Sequence, residues 1–297
     1  MKKAILIHNP SAGNGKHTKA ELLNIIQKAD YKVDYISTDE ENWQNLPENN
    51  SDIIFVAGGD GTVRKVADVL LKKEIHLDVP MFLLPLGTAN NIAKTLNIDI
   101  SKLREIPQSL TYKKFDYGKI SGVEENTFFI ESVGAGIFPE LIYTMKKNTI
   151  SDEKPADKLK RTQKTLHKIV DEFKAQNATL NINGDTINGS FLLIEVMNIK
   201  SIGPTLNIAP SAKVDDGYFD LVLIREEGRD LLLKYLNDLL EAKLSSEILR
   251  NFAEIIAVKN LSIQWEGDKI HVDDNLLTEY NGNPIMLEMT TKPFKIY

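Results

Sequence analysis

Gly58-Gly59-Asp60-Gly61-Thr62 sets three glycines and one carboxylate between an apolar run and a helical pattern. Glycines let a backbone come close to a ligand, and the unpaired N–H groups of a helix start favour an anion. The chemistry this suggests is phosphate binding. A carboxylate in such a cradle repels the anion unless a divalent cation lies between them, which makes Asp60 a candidate partner for Mg²⁺. An ordinary tight strand-to-helix turn is the plain alternative. Pro85-Leu86-Gly87-Thr88-Ala89-Asn90-Asn91 repeats the design after the apolar run 81–84, and His8-Asn9-Pro10-Ser11-Ala12-Gly13 follows the run 4–7. All three loops stand at the carboxyl ends of predicted strands, the edge at which open parallel sheets bind ligands.

The elements that must hold these loops are legible as periodicity. Residues 53–56 read as a buried strand, and Val63, Val66, Ala67 and Leu70 share one face of a helix that Thr62 would cap. Up to about residue 120, strands at 4–7, 32–37, 53–57 and 81–84 alternate with helices at 18–29, 63–72 and 91–96. This is the pattern of an α/β domain with a doubly wound parallel sheet. Beyond it, short alternating segments at 127–131, 179–182, 190–197, 219–224, 254–258, 262–265 and 285–289 predict an antiparallel β-sandwich or barrel. A helix near 156–175 interrupts it, with Leu159, Leu166, Ile169, Val170 and Phe173 along one face. The expected domains are 1–120 with 291–297, and 121–290.

Taken together, Asn9-Pro10-Ser11-Ala12-Gly13, Gly58-Gly59-Asp60-Gly61-Thr62, Pro85-Leu86-Gly87-Thr88-Ala89-Asn90 and Ala209-Pro210-Ser211-Ala212 with Asp215-Asp216-Gly217 resemble a known family. It is the soluble diacylglycerol kinase and sphingosine kinase catalytic fold, shared more distantly with NAD kinases, and the bacterial lipid kinases are the nearest likeness. The resemblance implies ATP and Mg²⁺. Gly58, Gly59, Gly61 and Thr62 would then bind the ATP phosphates, with Asp60 holding Mg²⁺ directly or through water. Asn9, Ser11, Gly87, Thr88 and Asn90 would complete the nucleotide pocket. Val272-Asp273-Asp274-Asn275 is the best match to the family's Asp-Gly-Glu segment, which makes Asp273 the expected general base; a plain hairpin turn is the competing reading. Lys213-Val214-Asp215-Asp216-Gly217-Tyr218 would hold a second, structural Mg²⁺ through the Asp216 carboxylate and the carbonyls of Lys213 and Tyr218. By itself that segment reads as a turn. The resemblance also implies a last strand that returns to the first domain, a ligand cleft between domains, and a role in phospholipid biosynthesis.

Other features narrow the class. At 297 residues, with 42% hydrophobic and 26% charged, the chain is long enough for two cores. A net charge of −6 argues against nucleic acid and against strong attraction to anionic membranes overall. The absence of cysteine excludes disulfide and thiolate-metal scaffolds and fits a cytoplasmic protein. No signal peptide or spanning run is visible, so a lipid acceptor at the membrane surface implies a peripheral, transient contact. Lys158, Lys160, Arg161, Lys164 and Lys168 form the densest basic stretch, either a solvated helix face or a membrane-docking patch. Gly15-Lys16 fails as a P-loop, and Gly13-Asn14-Gly15 matches a dinucleotide fingerprint only loosely. His8, His17, His76, His167 and His271 lack metal-ligand spacing and read as structural.

Three positions depart from the family: Lys65 where Glu is usual, Asn91 for Asp, and Asn275 for Glu. Each change removes a carboxylate. The expected function is an ATP- and Mg²⁺-dependent kinase of a diacylglycerol-like lipid hydroxyl, with a homodimer as a possible assembly. The rivals are a soluble-substrate kinase like the NAD kinases and a catalytically impaired nucleotide-binding regulatory protein.

Overall fold

Strands buried along their whole length need cover on both faces, and the amino-terminal runs are of that kind. In the computed structural model, which describes residues 1–15, 17–47, 51–73, 78–98, 111–123, 127–150, 153–203, 206–241, 243 and 249–297, these runs build one parallel sheet. Its strands and helices are β1 (Lys2–His8), α1 (Lys19–Lys28), β2 (Tyr31–Ser37), β3 (Ile53–Gly58), α2 (Asp60–Lys73), β4 (Met81–Pro85), α3 (Asn91–Thr95) and β5 (Lys113–Phe115). Every residue of β3 and β4 is buried. Helix α1 starts with a complete capping box: the Thr18 side chain accepts the Glu21 amide and the Glu21 carboxylate accepts the Thr18 amide.

The second part of the chain begins with β6 (Gly118–Ser121), β7 (Phe128–Phe129), β8 (Ser132–Gly136), α4 (Ile137–Lys147) and α5 (Pro155–Glu172). It continues through β9 (Gln176–Ile182), β10 (Asp185–Met197), β11 (Ser201–Ile202), β12 (Leu206–Asn207), β13 (Phe219–Arg225) and α6 (Arg229–Leu240). It closes with β14 (Glu254–Val258), β15 (Asn260–Trp265), β16 (Ile270–Val272), β17 (Asn275–Leu277) and β18 (Ile285–Met289), after which β19 (Phe294–Ile296) ends the chain.

The first sheet runs β2-β1-β3-β4-β19-β5, parallel except for the β19–β5 pair. Strand order reverses between β1 and β3, so the loops that follow these strands open at a topological switch point. The chain divides into Met1–Asp116 with Lys292–Tyr297, and Tyr117–Thr291. Residues 117–120 belong to the second unit, because β6 pairs with β18.

All pairs in the second unit's main sheet are antiparallel, along β17-β16-β8-β10-β9-β15-β18-β6-β7 with β13 and β14 on the other side of β10. Strand β10 makes this possible. It is 13 residues long, pairs β9 with its first half and β8 with its second, and shifts register between Phe191 and Leu193. Such an irregularity bends a strand, which lets one continuous sheet turn back over itself and enclose a core. That core includes Phe129, Leu180, Phe191, Ile194, Phe219, Ile263 and Trp265. No helix among the described residues is long and apolar enough to cross a membrane.

One expected boundary is wrong for a physical reason. Helix α2 starts at Asp60, and Thr62 is buried within its first turn rather than capping it. The Gly59 carbonyl accepts the amides of both Thr62 and Val63, so the glycine takes the capping position. His76 lies outside the described residues.

Phe219 is the test of the second core. Its ring lies 4.9 Å from that of Phe129, and both are fully buried. Phe219→Ala is expected to destabilise this unit by about 3–5 kcal/mol. Urea unfolding followed by Trp265 fluorescence in a Trp43→Phe background reads it; an unchanged midpoint would contradict the packing described.

Candidate active site

Three loops meet at the switch point, and backbone and side-chain hydrogen bonds knit them together. From the loop after β1, the Asn9 side chain donates to the Thr62 hydroxyl at 3.1 Å, while its Oδ1 accepts the Ser11 amide at 3.1 Å and the Ser11 hydroxyl at 2.7 Å. The Asn9 amide donates to the Ala57 carbonyl at 2.8 Å. Asn9 therefore fixes the first loop to the second.

The second and third loops touch glycine to glycine. A Cβ added at Gly87 would stand 2.5 Å from the Gly59 Cα and 2.8 Å from the Asn90 side chain, so any side chain there forces the loops apart. Asn90 adopts the left-handed conformation, φ 50°, and folds its amide group back over its own loop. Its Oδ1 accepts the Gly87 amide at 2.9 Å, and its Nδ2 donates to the carbonyls of Gly87 and Pro85 at 2.7 and 3.2 Å. Asn90 is thus a builder of the loop, and Thr88 is the residue left exposed at its tip.

Asp60 joins the two loops more firmly. Its Oδ2 accepts the Asn91 amide at 2.9 Å and its Oδ1 the Ile92 amide at 3.0 Å, so one carboxylate fills the amino end of α3 from 31 residues away. Asp60 is also the first residue of α2, which puts the negative charge at the amino ends of two helices. Burial nevertheless pushes its carboxyl above the ordinary range, against the pull of the Asn91 and Ile92 amides and of Lys94. The sequence alone pointed Asp60 at a metal; the structure gives its oxygens a first duty toward the backbone. Gly58 is buried against Thr62, and Gly61 remains in the first turn of α2, where helix amides have no intrahelical acceptor.

In the second unit, Asp273 begins a two-residue hairpin between β16 and β17, with φ 52°. The hairpin reading of this segment is therefore what forms. The carboxylate does more than turn the chain: Oδ1 accepts the amides of Ile130, Glu131 and Ser132 at 3.1, 2.8 and 3.1 Å, and Oδ2 lies 3.2 Å from the Ile130 amide. Asp273 is 6% exposed. Asp274 and Asn275 are exposed beside it.

Lys213, Asp216 and Tyr218 stand on an exposed loop in which Asp216 Oδ1 accepts the Tyr218 amide at 3.0 Å. Gly217, at φ 75°, makes the turn. Asp220, which sequence reasoning passed over, accepts from the Ser211 hydroxyl at 3.3 Å. Burial raises its carboxyl above the usual range and the nearby Asp216 charge adds to the rise. In the sequence Asp220 is only one residue of the predicted strand 219–224. Among the described residues, no three His, Cys, Asp or Glu side chains gather in one group.

Comparison with known proteins finds matches in both parts of the chain. The diacylglycerol kinase catalytic domain matches residues 3–120, and the YegS C-terminal NAD kinase beta sandwich-like domain matches residues 146–275. The chain belongs to the bacterial diacylglycerol kinase and lipid kinase family. As a member it is a kinase, a phosphotransferase with an alcohol-group acceptor. A diacylglycerol kinase of Bacillus subtilis (strain 168) is 23% identical over 98% of this chain and 88% of its own. One of Staphylococcus aureus (strain JH9) is 26% identical over 76% of this chain and 72% of its own. The solved structure of a diacylglycerol kinase from Bacillus anthracis str. Sterne shares the fold, with a TM-score of 0.70 at 20% identity, over 99% of this chain and 96% of that one.

Within this kinase, the loop knot should fail when Asp60 loses its acceptors. Asp60→Ala leaves two amides of α3 unpaired in a buried place, and a loss of about 1–3 kcal/mol for each is expected, with Asp60→Asn intermediate because one oxygen remains. Hydrogen exchange at the Ile92 amide reports it. Exchange as slow in Asp60→Ala as in the unaltered protein would show that the carboxylate does not hold α3.

Proposed function

We propose that this kinase uses Mg-ATP to phosphorylate the hydroxyl of a diacylglycerol-like lipid. The observation that carries the reading is the knot of three loops at the switch point, where Asn9, Asp60 and the Gly59–Gly87 contact hold glycine-rich backbone beside the amino end of a 14-residue helix. That is a place built for phosphates. Gly58, Gly59, Gly61 and Thr62 would border the phosphate chain, with Ser11, Gly87 and Thr88 completing the nucleotide pocket and Asn9 and Asn90 holding its walls. ATP supplies the phosphoryl group and Mg²⁺ offsets the charge that gathers on it.

The donor sets fit a hard cation. Asp60 is a carboxylate whose burial disfavours its charge, and its two oxygens offer more lone pairs than the backbone amides that reach them can fill. A cation beside it would relieve that cost. Asp216, with Asp220 near it and the carbonyls of Lys213 and Tyr218 in the same loop, would supply oxygen ligands for a second Mg²⁺. Asp273, held by three amides, would orient the acceptor hydroxyl. Phosphoryl transfer through a loose transition state demands positioning more than strong basicity, so a carboxylate tied to amides suits the task.

A lipid acceptor requires contact with a membrane surface. Lys160, Lys164 and Lys168 share one face of α5 and are exposed, and Lys158 is exposed on the same helix. A row of basic side chains on one helix face suits a peripheral contact with anionic lipid. Arg161 stands on the same face as Lys160, Lys164 and Lys168, but its charge is already paired with Glu153 at 2.6 and 2.7 Å.

A second reading has its own support. Both motif carboxylates are engaged by backbone amides, and Lys65 and Asn275 are exposed at positions where the family pattern has carboxylates. This favours an impaired, nucleotide-binding regulatory protein. Transfer of labelled γ-phosphate to diacylglycerols, sphingoid bases, phosphatidylglycerol and NAD separates the readings. A labelled lipid is expected, with KM for ATP about tenfold higher in Asn9→Ala, the equivalent of one hydrogen bond of about 1.4 kcal/mol. Asp273→Asn should lower kcat by about 10²–10⁴. Labelled NAD would select a soluble-substrate kinase, and nucleotide binding with no transfer to any acceptor would favour the regulatory protein.

A further inference from the structure

Glu195 and His271 are a fully buried pair that none of the roles above employs. They meet across a glycine. The register places Val222, Glu195, Gly134, His271 and Leu276 in one row on β13, β10, β8, β16 and β17. Neighbours on one sheet face normally touch only the next strand, but Gly134 has no side chain, so Glu195 and His271 reach each other over it. A Cβ at Gly134 would overlap the Glu195 carboxyl group. Nε2 of His271 stands 3.0 Å from Oε1 and 3.1 Å from Oε2, and both residues are 0% exposed.

The other ring nitrogen identifies what the pair holds. Nδ1 lies 2.8 Å from the main-chain carbonyl oxygen of Asp273. A carbonyl has no proton to give, so Nδ1 must carry the hydrogen, and a further proton must then lie between Nε2 and Glu195. Asp273 is gripped on three sides: its amide donates to the Ser132 carbonyl at 2.8 Å, its carboxylate accepts the amides of residues 130–132, and its carbonyl accepts from His271. Because the imidazole touches the carbonyl and not the carboxylate, it cannot draw a proton from the carboxylate.

We propose that Glu195 and His271 are positioning residues that lock the Asp273 turn of this kinase, so that turnover depends on a buried proton that no substrate touches. The proposal rests on the reading of Asp273 as the carboxylate that orients the acceptor. A hairpin residue in the left-handed region is held there by its surroundings, and the angle of the carboxylate follows the angle of the turn. Without the shared proton, two acceptor atoms would face each other in a dry site, a costly arrangement that the turn can escape only by moving.

The electrostatics agree. Burial works against a charged imidazole, yet the Glu195 carboxylate and the Asp273 carbonyl outweigh it and raise the His271 pKa above the ordinary value. Apart from Glu195 and Asp273, the surroundings bring little charge: β8 and β17 carry no ionisable side chain, and Glu140 of α4 is paired with Lys269 at 3.2 Å. Since the folded value is raised, the stabilisation is complete below the unfolded value of about 6.5 and disappears as pH rises through the folded one. The loss therefore falls on the alkaline side.

Two readouts test this. In the protein with ¹³C-labelled histidine, the His271 ring, assigned with His271→Gln, should titrate above its ordinary value, and the Glu131 and Ser132 amide shifts should follow the same curve. In kinetics, kcat should decline along that curve. Glu195→Gln, which preserves the shape of the pair and removes its charge, should abolish the alkaline decline, while His271→Gln should lower kcat about tenfold with KM for ATP unchanged. A ring that titrates at or below the ordinary value, amides that ignore it, or variants with full kcat and lower stability alone would overturn the proposal. If the unaltered protein transfers phosphate to no acceptor, the proposed function fails, and the amide titration still decides whether the pair controls the turn.

Discussion

Everything at the switch point depends on one carboxylate. Asp60 ends the glycine corner of the second loop, opens α2, and accepts the first two amides of α3. A five-residue helix has little stability of its own, because nucleation costs more than so few hydrogen bonds return. Its place is fixed from outside. Once α3 is tied to Asp60, Gly87 lies on Gly59, the Asn90 amide group can close its loop, and Asn9 can reach Thr62. The requirement for glycine follows from that closeness rather than from a need for flexibility.

The second unit uses the same physics. Asp273 gathers three consecutive amides into a small positively polarised nest, much as Asp60 gathers two. In both places a residue that a motif marks as chemical is first a bolt in the backbone. The two duties are compatible. Fixed amide dipoles orient a carboxylate and remove the need to reorganise it when a ligand arrives, which is how preorganised sites gain their advantage. Loss of either carboxylate would therefore undo the shape as well as the charge.

Much of this was legible in the residues. Uninterrupted apolar runs gave β1, β3 and β4 within a residue or two, and the helix expected over 18–29 forms as α1. What periodicity missed has particular causes. Strand β8, Ser132-Val133-Gly134-Ala135-Gly136, is poor in β-formers, and its glycines are there to make room for Glu195 and the Leu192 backbone on β10. The Glu195–His271 pair spans 76 residues and exists only through sheet register. Thr62 looked like a cap because hydroxyls often are, but α2 already starts at Asp60 and the Thr62 hydroxyl accepts from Asn9 instead. Asp216 was visible within a motif, whereas Asp220 had no motif to announce it.

If the knotted loops of the first unit form the nucleotide site, bound nucleotide must protect their backbone. Hydrogen–deuterium exchange of the whole protein with and without Mg-ATP tests it most directly. Protection should rise in the segments around Ser11, Gly58–Thr62 and Gly87–Asn91, and rise less in Asn9→Ala. Protection confined to other segments, with these three loops unchanged at saturating nucleotide, would contradict it.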